Sequence, residues 1–77
     1  MKLFIWHDVL FDYTGGIAFA MAPDVDAARE AVAEAFGRCD EYAGQVEEAR
    51  ARILREISGE PDEVHDAPAA GYCWGGG

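Results

Sequence analysis

Basic residues are scarce. One lysine and five arginines stand against fifteen acids, a formal net charge of −9. A chain so charged would forgo counterion release on a polyanion and meet repulsion instead, so neither nucleic acid nor an anionic membrane surface is an expected direct partner. Cysteine is almost absent: Cys39 and Cys73 form no C-x-x-C pair and are no disulfide framework, which points to reduced thiols in a cytoplasm. Long apolar runs are missing too. The opening Leu3-Phe4-Ile5-Trp6 is broken by His7 and Asp8 before a signal-peptide core or a membrane span could form.

The chemistry of catalysis is equally thin. His7, His65, Cys39 and Cys73 are metal-ligand types but lack the paired short spacings of a tetrahedral site, so no metal or other cofactor is expected. His7, Asp12 and Thr14 supply a base, an acid and a hydroxyl, yet none sits in a strand-turn-helix elbow, and the reading is of a protein that is not an enzyme. Gly15-Gly16 lacks the G-x-G-x-x-G spacing and reads as turn chemistry.

What is present is apolar patterning in a chain of 77 residues, 51% hydrophobic, enough for one small domain over 1–77 with 75–77 as a flexible glycine tail. Residues 2–13 and 17–22 read as two strands of a hairpin around Thr14-Gly15-Gly16. In the second, Ile17, Phe19 and Met21 alternate with Ala18, Ala20 and Ala22, so one face carries the core. In the first, Leu3, Ile5, Val9 and His7 alternate with Phe4, Trp6, Asp8 and Leu10. Large groups on both faces make this strand central, or covered on its second face.

Asp24 is placed to cap a helix with Val25, Ala28, Val32, Ala35 and Phe36 at helical spacing and a stop at Gly37. Asp40 could cap a second helix with Tyr42, Val46, Ala49, Ile53 and Ile57 inside, ended by Ser58-Gly59 and Pro61. Periodicity then lapses until Gly71-Tyr72-Cys73-Trp74, a candidate third strand. The expected fold class is α+β, a three-stranded antiparallel-type sheet in the order β-β-α-α-β along the chain, with two helices packed on one face. Pattern alone leaves the strand order open.

Charge is unevenly spread. Residues 24–57 mix five arginines with nine acids, whereas residues 58–77 hold Glu60, Asp62, Glu63 and Asp66 with no base. Loop acids without arginine neighbours are the candidate partner-binding set: Asp8, Asp12 and Tyr13 around the hairpin, and Glu60, Asp62, Glu63 and Asp66 after the second helix. Their complement is the basic surface of a protein or ribonucleoprotein complex, where carboxylates can stand at positions that phosphates take. A second candidate surface is aromatic: Phe4, Trp6, Tyr72 and Trp74 could form a patch on the helix-free side of the sheet and support a homodimer.

Lys2-Leu3-Phe4-Ile5-Trp6, Asp8-Val9-Leu10 followed by Asp12-Tyr13-Thr14-Gly15-Gly16, and the ending Tyr72-Cys73-Trp74-Gly75-Gly76 resemble a group of short acidic proteins of phages and prophages. In size, acidity and single-domain build the chain is similar to anti-CRISPR proteins, particularly inhibitors of type I CRISPR surveillance complexes. That resemblance implies inhibition by occupying a basic nucleic-acid-binding groove and blocking target DNA, in the cytoplasm of a bacterial host cell. A weaker likeness is to ubiquitin-like and sulfur-carrier proteins, through Gly75-Gly76-Gly77, although a second helix here replaces the later strands of those folds.

Overall fold

The structure is a computed structural model that describes residues 1–12, 14–38, 44–66, 68, 70 and 72, without the side chains of residues 11, 12 and 14. Strand β1 (Lys2–Asp12) and strand β2 (Thr14–Ala22) form an antiparallel hairpin. Helix α1 (Val25–Gly37) and helix α2 (Val46–Glu56) follow, and a short strand β3 (Glu63–His65) returns antiparallel to β1. The sheet order is β2-β1-β3, so β1 is central, which explains why both of its faces hold large apolar groups. No helix among the described residues is long and apolar enough to cross a membrane.

Among the described residues the third strand lies ahead of the aromatic run. It falls at Glu63–His65, in the stretch read as having lost periodicity, because three residues are too few to show alternation. Of Gly71–Trp74 only Tyr72 is described, and it belongs to no strand. Asp40 and Tyr42 also lie outside the described residues, as do Tyr13 and the terminal glycines.

The core has small residues on one strand and large ones on the next. Ala18, Ala20 and Ala22 of β2 are buried beneath α1, whose own Ala28 and Ala33 have no exposure, and this pairing of small side chains lets the helix sit close to the strand. Phe4 and Trp6 of β1 fill the neighbouring volume with Val32, Ile53 and Ile57. Asp24 caps α1 as its sequence position suggested, its Oδ1 accepting from the Ala27 amide at 2.8 Å. The inner stripes differ in detail: Ala35 and Val46 are exposed, while Ala33 and Gly37 are buried. A Cβ on Gly37 would lie 3.3 Å from Val46 Cγ1, so α2 approaches α1 on the Gly37 side.

One clasp joins all the layers. The backbone after α2 is held from the sheet by Trp6, whose indole Nε1 donates to the Gly59 carbonyl at 3.0 Å. From α1 it is held by Arg29, which donates to the Ile57 carbonyl at 3.0 Å and to the same Gly59 carbonyl at 3.1 Å.

Strand β1 departs from plain alternation. Asp8 and Leu10 have φ of 55° and 53°, the left-handed region that L side chains enter at a cost, and the pairing shifts register between His7 and Val9 and again before Asp12. Residues 8 and 9 together oppose Gly16, so Asp8 is bulged and Val9 turns to the helix side, 4% exposed, with Phe4 and Trp6. The expected grouping of Val9 with Leu3 and Ile5 is corrected accordingly. Gly15-Gly16 is likewise not the turn: both are strand residues, and a Cβ on Gly16 would come within 3.0 Å of the Val9 carbonyl, so glycine is what admits the bulge.

Candidate functional site

Both helices lie on one side of the sheet, leaving the other side open. Across it the register sets His65, Leu3 and Met21 in one row, Glu63, Ile5 and Phe19 in the next, and His7 beside Ile17 in a third. Ile17, Phe19 and Met21 are 52%, 62% and 62% exposed. Of the aromatic patch expected here only Tyr72 reaches this side, lining its cavity; the rest of the surface is aliphatic and methionine with Phe19. Phe4 and Trp6 point into the core, where helices need large partners, Tyr72 is exposed, and Trp74 lies outside the described residues.

A cavity of about 570 Å³ opens on this face between Leu3, Ile5 and Ile17 on its apolar side and His7, Asp8, Glu63 and His65 on its polar side. Glu63 is the hub of the polar side. Its Oε2 meets His7 Nε2 at 2.5 Å and its Oε1 meets His65 Nε2 at 2.9 Å. An ionised carboxylate only accepts, so both rings present Nε2–H to it. Asp62 supports the same corner, its Oδ2 accepting from the His7 backbone amide at 2.6 Å while its own amide donates to the Ile5 carbonyl at 2.8 Å. Among the described residues no group of three or more His, Cys, Asp or Glu is placed to hold a metal ion.

The hydrogen bond from His65, and after it the one from His7, hold the Glu63 carboxyl below the usual carboxylate range. A carboxyl depressed in the folded state contributes stability above its unfolded pKa, and that contribution is lost as pH falls through the folded value. Acid should thus loosen the β3 edge before the hairpin. In a pH titration followed by amide resonances, Val64 and His65 should show a low-pH transition that Glu63→Gln abolishes. An unchanged transition in that variant would assign the effect to other groups.

Of the expected partner-binding residues, the structure brings Asp8, Asp62 and Glu63 to one corner of the sheet, all gathered about His7. Glu60 and Asp66 flank β3 and are exposed. Asp12 ends β1 on the hairpin side, with its side chain outside the described set, as is Tyr13. The late acids are not all loop charges: Glu63 is a strand residue with two histidine partners, and Asp62 pins β3 to β1. Sequence reasoning missed those histidines as partners because they stand 56 and 2 residues from Glu63, and no local motif links them.

Three of the five arginines pair with helix acids. Arg29 pairs with Asp26, Arg38 with Glu34, and Arg50 with Glu30 at 2.9 Å, the last joining the two helices. The Glu30 carboxylate raises the pKa of the Arg50 guanidinium, first by hydrogen bonding and then by charge. Among the described residues, no ion pair ties Asp8, Glu60 or Asp66 to a lysine or arginine. No family model matches the chain, and neither the curated proteins nor the solved structures contain a match to it.

Proposed function

We propose that the protein acts without catalysis, as an anti-CRISPR-like inhibitor whose acidic corner occupies a basic nucleic-acid-binding groove of a bacterial type I surveillance complex and keeps target DNA out. The observation that carries this reading is the segregation of charge: Arg29, Arg38 and Arg50 are paired with helix acids, while Asp8, Glu60 and Asp66 stand exposed near the β3 edge without Lys or Arg partners among the described residues. A one-sign surface on a rigid scaffold steers toward a groove of opposite sign and is repelled by nucleic acid itself.

The test is a gel-shift titration of target DNA onto a purified type I complex at low salt. Wild-type protein should abolish DNA binding near one equivalent per groove. The triple variant Asp8→Asn, Glu60→Gln, Asp66→Asn, which keeps a side chain that tolerates the left-handed φ at position 8, should inhibit at least tenfold less well, with a flatter salt dependence and an unchanged melting temperature. Undiminished DNA binding with wild-type protein removes the proposal, and full potency of the triple variant places the contact elsewhere.

A further inference from the structure

The cavity on the open face has two sides of different chemistry. Leu3, Ile5 and Ile17 form an apolar wall that no helix covers, the first two half-buried and the third exposed. Opposite them stand the carboxylates of Asp8 and Glu63, and among the described residues no lysine or arginine lines any part of the space. Its volume of about 570 Å³ lies in the range of sites that take a small organic molecule.

Asp8 reaches this cavity only through the bulge in β1. Plain alternation would send residue 8 to the helix side with Phe4 and Trp6. Instead Val9 takes the inward place, and Asp8 joins His7 at the cavity in a left-handed backbone conformation. Nothing within the fold uses the carboxylate so placed: among the described residues the Asp8 side chain makes no hydrogen bond or ion pair. Glu63 is held in position by His7 and His65, and each of its oxygens keeps a lone pair that neither ring occupies.

We propose that this cavity binds a small organic cation, an ammonium or guanidinium group carried on an apolar body such as an aromatic ring. The head group pairs with the Asp8 carboxylate on the Glu63 side of the cavity, and the body covers Leu3, Ile5 and Ile17. Charge selects this class of ligand. An anion of the same shape meets two carboxylates on a chain of net charge −9, whereas a cation is drawn toward it. Ammonium and guanidinium groups only donate and carboxylates only accept, so the two sets match. A small polar cation without the apolar body would leave the wall uncovered and gain only the weak attraction of an exposed ion pair. The site shares Asp8 with the acidic corner but does not rest on the inhibitor reading, and its test contains no surveillance complex.

Amide resonances of the full chain, followed at neutral pH and physiological salt, test it with three probes: phenethylamine, its carboxylate counterpart hydrocinnamate, and butylamine, which lacks the ring. Phenethylamine should shift Ile5, His7, Ile17 and Glu63 along one saturable curve. It should bind about fivefold more tightly than either control, the scale of one exposed ion pair or of a partly covered ring. Asp8→Asn, whose side chain tolerates the left-handed φ, should weaken phenethylamine binding by about threefold to fivefold with the melting temperature unchanged. Equal binding of butylamine overturns the proposal, since the acidic surface would then attract cations without the cavity. Equal binding of hydrocinnamate overturns it as well, leaving an apolar face with no preference for charge, and so does full affinity in Asp8→Asn, which removes the bulge from the site.

Discussion

Trp6→Ala is expected to remove about 3–5 kcal/mol of stability, a large share of the roughly 4–12 kcal/mol that a domain of this length has in total. Trp6 is 3% exposed, and its ring fills the space between the sheet and the helices, so truncation leaves a void that neighbours cannot close without moving β1. Its hydrogen bond is the smaller part. When the indole is removed, the Gly59 carbonyl still accepts from Arg29, so no buried acceptor is orphaned. Trp6→Phe, which keeps most of the volume and loses the donor, should therefore cost less than half as much. Urea denaturation of the two variants separates packing from hydrogen bonding, and equal losses would put the bond first.

The second large effect is at Ile53, which has no exposed surface and lies between α1 and the sheet. Ile53→Ala should cost about 2–5 kcal/mol and Ile53→Val about 0.5–1.5 kcal/mol. Val46, two turns earlier on the same face but in the first turn of α2 and 50% exposed, is the control: Val46→Ala should cost no more than about 1 kcal/mol. Thermal or urea unfolding measures all three. A Val46→Ala loss comparable to that of Ile53→Ala would mean that the first turn of α2 is packed against α1 as tightly as its middle.

The hairpin, both helices and the α+β class could be read from the chain because each rests on a local signal: period-two alternation in 17–22, Asp24 before a helical stripe, and Ser58-Gly59 after one. Which face of β2 is covered could not be read by hydrophobicity. Ile17, Phe19 and Met21 are the more apolar set, yet the alanines are buried, because α1 approaches a strand of small side chains and Phe4 and Trp6 of the next strand supply the bulk. The aromatic run was weighted as strand while Glu63-Val64-His65 was passed over, since polar residues on a three-residue strand carry no alternation to detect. Of the candidate site, the acids were legible as composition. Their division into free charges and the Glu63 hub depends on contacts between β1 and β3, more than fifty residues apart in the chain.

The bulge in β1 governs how this chain can drift over evolutionary time. Because residues 8 and 9 together face Gly16, Asp8 is a spare residue, and a lineage that lost it would keep Val9 on the helix side with simple alternation restored. A deletion anywhere in 3–5 has no such outlet: it would carry Trp6 to the open face and bring a polar neighbour inward. Length variation in descendants of this chain should accordingly concentrate at the two register shifts, at position 8 and between Val9 and Asp12, and the indole clasp on Gly59 should mark the boundary that such changes do not cross.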